Sequence, residues 1–200
     1  MFQPHRRFTI RLATMAMAAA LILPNVAKAD GMAGFTAFER GDYPTALKEF
    51  QVLADQGVPA AQAALGQMYL QGLGVPQDYA TAAKWLTPAA TNGSAAAQAQ
   101  LSTLYLLGMG VPKDEKQAAY WTKRAADHGV KRSQVDLAAM YYQGVGVPKD
   151  MGQAYFYADL AARQGDADGA SIRDVVAQNL PQSQVAQLKA QADAWKPSQQ

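Results

Sequence analysis

The sequence predicts an all-α fold, an α/α superhelical solenoid of helix pairs closed by C-terminal capping helices. Three observations carry that expectation. First, Gly-x-Gly-Val-Pro stands at 72–76, 108–112 and 144–148, each copy 36 residues after the last. A fixed period of this length marks one supersecondary unit stacked on its neighbours. Second, other residue types recur in the same phase: Leu65, Leu101 and Leu137; Tyr69, Tyr105 and Tyr141; Asp78, Asp114 and Asp150; Ala82, Ala118 and Ala154; Trp85, Trp121 and Tyr157. Third, Ala61, Ala64, Leu65, Met68 and Tyr69 are spaced to share one face of a helix with 3.6 residues per turn.

Residues 1–29 read as a cleavable export signal rather than as part of the fold. His5, Arg6, Arg7 and Arg11 form a basic start, and Leu12–Leu23 is an apolar run too short to span a bilayer as a helix. Pro24 breaks that run, and Ala27-Lys28-Ala29 supplies an A-x-A site, so cleavage is expected between Ala29 and Asp30. An uncleaved anchor is the alternative. The residues around Arg6-Arg7 fit the general secretory route better than twin-arginine export.

The expected solenoid spans 30–166. Its first pair, 32–57, is a shortened copy: Ala46, Ala54 and Gly57 sit 36 residues before Ala82, Ala90 and Gly93. A short helix over 32–40 and a second over 43–56 are joined there by Gly41-Asp42. Three full units follow at 59–93, 95–129 and 131–165. In each, helix A (59–71, 95–107, 131–143) ends at a glycine suited to a left-handed cap, and Val-Pro then forces an extended turn. Asp78, Asp114 and Asp150 are placed to cap helix B (79–92, 115–128, 151–164). Gln117 and Gln153, three residues on, resemble a capping box. Gly66, Ser102 and Ala138 keep one helix A position small, which lets a neighbouring helix come close. Gln62, Gln98 and Gln134 read as structural hydrogen-bonding positions. The stretch 167–200 leaves the period. It is expected to form capping helices over about 168–180 and 182–195, separated by Pro181, with Trp195 as anchor and a loose tail after Lys196.

Composition narrows the function. The chain has 18 Lys and Arg against 16 Asp and Glu. Arg6, Arg7, Arg11 and Lys28 fall within the signal, leaving 14 against 16, a net charge of −2 for the remainder. No basic run is left for nucleic acid or anionic lipid. The chain contains no cysteine, which excludes disulfides, thiol catalysis, Cys-based zinc sites and a lipoprotein anchor. The mature chain is expected to be free of any stable membrane anchor and to need no cofactor.

The unit A-Q-x-x-L-G-x-M-Y-x-x-G-x-G-V-P-x-D-x-x-x-A-x-x-W-x-x-x-A-A-x-x-G, carried in its first copy by Ala61 to Gly93, closely resembles the Sel-one-like repeat, a relative of the tetratricopeptide repeat. The resemblance is strong over 46–165, and Arg173–Leu180 with Ala194–Pro197 looks like the tails of exported bacterial members. It implies a right-handed superhelix whose concave face contacts proteins. The departures are modest: Gly66 becomes Ser102 and Ala138, and Trp85 becomes Tyr157.

The chemistry-bearing residues have structural readings. The glycine pairs follow helices, not strands, and lack the third glycine of a dinucleotide fingerprint. His128 is the one histidine after residue 29 and shares a helix-end position with Asn92 and Gln164. Asp166-x-Asp168 lacks the further ligands of a calcium loop. Some exported relatives of this repeat class are penicillin-binding or β-lactamase-like, but Ser-x-x-Lys is absent and Thr81-Ala-Ala-Lys84 is the nearest string. The candidate protein-binding residues are therefore surface positions of helix A: Gln67, Leu70, Gln71, Thr103, Leu106, Leu107, Tyr142 and Gln143. The expected function is a non-enzymatic adaptor of the bacterial envelope, located in the periplasm and binding a protein partner. A cell-wall enzyme and a secreted host-interaction factor are the alternatives.

Overall fold

The computed structural model describes residues 25–198. Ten helices occur among them, and no strand: α1 (Asn25–Glu39), α2 (Tyr43–Asp55), α3 (Pro59–Gln71), α4 (Tyr79–Thr91), α5 (Ala95–Leu107), α6 (Glu115–Asp127), α7 (Lys131–Gln143), α8 (Met151–Arg163), α9 (Ala167–Ala177) and α10 (Gln182–Ala194). Most of the expected export signal, residues 1–24, lies outside the described residues. Ala29 and Asp30 fall within α1, which begins seven residues before the expected Met32.

Helices α1 to α9 pack chiefly on their sequence neighbours, α1 on α2, α3 on α4, α5 on α6 and α7 on α8, with each pair then stacked on the next. The expected columns face the seams. Leu65, Leu101 and Leu137 are fully buried, as are Ala82, Ala118 and Ala154, with Trp121 and Tyr157 nearly so. The shortened first pair is a real one. Phe35 and Phe38 of α1 pack edge-on or tilted against Phe50 of α2, and the cluster continues to Leu65 and Met68.

The turn from A to B repeats in detail. Gly72, Gly108 and Gly144 take φ values of 67°, 68° and 78°, and their amides close back on Met68, Leu104 and Met140. Past the Val-Pro bend, the amides of Asp78, Asp114 and Asp150 donate to the carbonyls of Tyr69, Tyr105 and Tyr141 at 2.9–3.0 Å. The Asp side chains accept from the first-turn amides of α4, α6 and α8. This corrects the capping-box expectation at Gln117 and Gln153. Their amides bond Asp114 and Asp150. The reciprocal bond has no donor, because each Asp N–H is already committed to a tyrosine carbonyl.

The second glycine of each motif has a different purpose, which the sequence did not reveal. A Cβ on Gly110 would overlap the backbone of Tyr79 and Ala80, at the start of the preceding unit's helix B. Gly146 lies against Glu115 and Gly74 against Tyr43 in the same way. This glycine is where one unit's bend rests on the unit before it. The opposite edge of each seam is tied by the glutamines: the Nε2 groups of Gln62, Gln98 and Gln134 donate to the carbonyls of Ala54, Ala90 and Ala126 at 3.3, 3.0 and 3.2 Å.

The small helix A position meets a partner of complementary size. Gly66 faces Leu86, into which a Cβ would run. One unit on, the Thr122 hydroxyl bonds Ser102 at 2.9 Å. Another unit on, the same two columns hold buried Ala138 and Ala158.

α9 ends at Ala177, three residues earlier than expected, and stacks on α8 and α7 as the first helix of another unit would. α10 does not pair with α9. It turns back onto α8, where Gly152 leaves room for Gln184 and where Val185 and Leu188 join Tyr155 and Val176. Arg163 links the two helices. It bonds buried Asp159 on its own helix at 2.8 Å and pairs with Asp193 of α10. Of the tail expected to be loose after Lys196, residues 199–200 lie outside the described residues, and Pro197 and Ser198 are held in place. The Ser198 amide donates to the Asp127 carbonyl at 2.8 Å, and Pro197 lies over Gly129. The backbone is extended there, so it reaches back to the end of α6.

Candidate protein-binding surface

Helices α3, α5 and α7 carry all eight candidate residues. α3 approaches α5 and α7 approaches α9 across the intervening B helices.

The eight residues divide in two. Leu70 is half-buried against the cluster containing Leu86, Leu101 and Leu104. Leu106 is half-buried against Ala118, Ala119 and Met140. Both belong to the seams between units. Gln71, Leu107 and Gln143 share one column, the last residue of each A helix, and all are exposed, Leu107 by 60%. Thr103 is exposed and its hydroxyl donates to the Ala99 carbonyl at 3.2 Å, while Gln67 is half-buried. Tyr142 is exposed at the edge, with the Lys149 ammonium 5.5 Å above its ring.

The electrostatics of this face change along the stack. α3 and α5 contain no charged side chain. α7 brings Lys131, Arg132 and Asp136. Arg132 pairs with Asp136 at 3.0 Å and reaches Asp168 of α9 at 3.6 Å. Burial raises the Asp136 carboxyl above its ordinary value, with Arg132 opposing the shift. The surface of the A helices is thus neutral over two units and becomes dipolar at the third.

Among the described residues no group of three or more His, Cys, Asp or Glu could hold a metal ion. Thr81 is committed to helix capping. Its hydroxyl donates to the Asp78 carboxylate at 2.6 Å, and that bond, with the Thr81 amide, holds Asp78 below the usual carboxylate range. Asp166 caps α9 through the amides of Asp168 and Gly169. Among the described residues no helix is long and apolar enough to cross a membrane.

Pairs of antiparallel helices stacked at a constant period define an α-solenoid repeat protein. The Sel1 repeat family matches residues 59–94, 95–130 and 131–166, and the chain belongs to that family. A Sel1 repeat protein from Oxalobacter formigenes of known crystal structure is 37% identical, covering 64% of this chain and 96% of that one at a TM-score of 0.59. The crystal structure of c5321, a protective antigen present in uropathogenic Escherichia coli strains displaying an SLR fold, is 26% identical over 84% of this chain and 45% of that one, at a TM-score of 0.57. Comparison with curated proteins gives no match. Sel1 repeat proteins act as protein-interaction scaffolds.

Proposed function

We propose that this chain is an exported scaffold of the bacterial envelope that binds a protein partner along the inner face of its A helices. The observation that carries the reading is the column Gln71, Leu107 and Gln143. Stacking covers much of the neighbouring apolar positions, yet these three remain exposed in one column of the repeat. An exposed leucine flanked by uncharged amides suits a partner surface that is itself largely neutral. Export is supported by the basic start, short apolar run and A-x-A site of residues 1–29.

Cross-linking in intact envelopes tests the reading. A partner should be captured stoichiometrically by the unaltered chain and lost with Leu107→Asp, while the melting curve stays the same. Capture that is indifferent to Leu107→Asp sinks the inner-face assignment. Cell fractionation separates a periplasmic from a secreted location. Catalysis has no part in this reading, and nitrocefin turnover abolished by Thr81→Ala or Lys84→Ala would overturn it.

A further inference from the structure

A second surface lies on the B-to-A edge of the stack, at the turn between α6 and α7. After Ala194 the backbone leaves the helix and is extended at Trp195, with φ −68° and ψ 142°. Trp195 is half-buried against the cluster that contains Ala126, Leu137, Ala138, Tyr157 and Ala192. Lys196 points to solvent. Pro197 lies over Gly129, close enough that a Cβ there would come within 3.3 Å of its ring. The Ser198 amide donates to the Asp127 carbonyl at 2.8 Å. The Ser198 carbonyl faces His128 Nδ1 at 3.0 Å, so Nδ1 carries the proton. An aromatic anchor, a residue facing away, a proline on a glycine and hydrogen bonds to both the N–H and the C=O of one residue are the contacts by which an extended peptide ligand is held in register.

Three features set this segment apart from ordinary capping. Lys196, Pro197 and Ser198 are all exposed, so they lie on the surface and do not fill the core. Apart from Ala192, the surface beneath is built by α6, α7 and α8, where the Tyr157 hydroxyl holds the Asp127 carboxylate at 2.8 Å. The same edge is open elsewhere, with nothing near the Cβ positions of Gly57 and Gly165.

The histidine supplies an independent sign. In the third unit Gln164 Nε2 donates to Gln134 Oε1 at 2.7 Å. One unit earlier the same columns hold His128 and Gln98. There Gln98 Oε1 is fully buried without a partner, while the imidazole is turned outward to Ser198. In the first unit the shorter Asn92 likewise leaves Gln62 Oε1 unpaired. The tail contact thus engages the side chain that stands where its neighbour's internal bond is made.

We propose that the α6–α7 edge is a docking site for an extended Trp-x-Pro segment of a partner protein, occupied in cis by Trp195–Ser198 as an internal competitor. Trp195 follows packed α10 directly, so the chain holds its own segment at the site as an intramolecular competitor. A partner peptide must exceed that competition, so binding in trans is masked until the cis anchor is weakened. This surface is separate from the inner face of the A helices.

The test uses the full chain with Trp195→Ala and an end-blocked, fluorescent Ala-Trp-Lys-Pro-Ser peptide, followed by anisotropy. The altered chain should bind at least tenfold more tightly than the unaltered one. Binding should weaken when His128→Ala is added or when the peptide's Trp or Pro is replaced by Ala, and should be unchanged by Leu107→Asp. A folded Trp195→Ala chain that binds no better than the unaltered chain overturns the proposal. Should Trp195→Ala fail to fold, hydrogen exchange on the unaltered chain decides. Saturating peptide should speed exchange of the Ser198 amide, and an unchanged rate rejects the site.

Discussion

Gly66 and Leu86 show how one contact is solved differently in successive units. A Cβ at 66 would run into the Leu86 side chain, whereas the next unit fits a hydroxyl pair and the third a pair of alanines. Interiors packed to crystal density tolerate matched changes far better than single ones. Gly66→Ser alone should therefore cost about 1–3 kcal/mol. Combined with Leu86→Thr, which installs the second unit's pair, the loss should be smaller than the sum of the single changes. A double-mutant cycle by urea denaturation measures the coupling, and strict additivity would show that the two columns do not share a space. Asp78 offers a pH test at the same scale. Its folded pKa is depressed, chiefly by the Thr81 hydroxyl. The stabilisation is therefore present above the unfolded value of about 3.9 and is lost as pH falls through the lower folded value. Asp78→Asn keeps an N-capping oxygen and should flatten that part of the acid dependence in a thermal-melt series. An unaltered pH profile would contradict the cap's titration.

At the scale of the element, the Gly-x-Gly-Val-Pro bend joins two separate requirements. The first glycine is required chiefly for its left-handed backbone: a Cβ on Gly108 would meet Lys113 at 3.2 Å, a tight contact but not an overlap. The second needs that conformation and also the absence of a side chain, because the preceding unit's backbone occupies the space. Gly108→Ala should cost about 1 kcal/mol, the strain of a left-handed residue. Gly110→Ala should cost at least about twice as much, since overlap is added to strain. Equal losses in chemical denaturation would refute the distinction. The first role was legible in the sequence, because a glycine after a helical period and before Val-Pro has a local cause. The second was not, because the atom that excludes a Cβ at 110 lies about thirty residues earlier in Tyr79. The capping box failed for a related reason. The pattern at Asp114 and Gln117 is local, but the competing acceptor, the Tyr105 carbonyl, belongs to the previous helix.

Across the whole molecule, the periodic part was readable and the aperiodic part was not. Helix bounds in the three units follow from columns that repeat, and repetition averages out the ambiguity of any single position. The path of α10 back over α8 and the anchoring of Ser198 on α6 each occur once, so no column announces them. The candidate site was legible to the same degree. The sequence marked the outward positions of helix A, yet Leu70 and Leu106 turn into the seams because the neighbouring unit covers them. No signal flagged the α6–α7 edge except the histidine at 128, which breaks an otherwise amide column.

The paired ties at each seam, a glutamine on one edge and a bare backbone crossing on the other, have a consequence for length. They ask nothing of a unit beyond what its predecessor already displays. A duplicate of residues 95–130 inserted after Val130 would find Ala126 as the acceptor for its glutamine, and its second glycine would lie over the same Glu115 backbone that now receives Gly146. Such a lengthened chain should gain helical circular dichroism in proportion to the added residues and melt no lower than the original, as nearest-neighbour energetics require. A melt markedly lower would mean that the seams, alike in their hydrogen bonds, are not interchangeable. Within that limit the architecture is a ruler whose number of divisions evolution can change without redesigning any one of them.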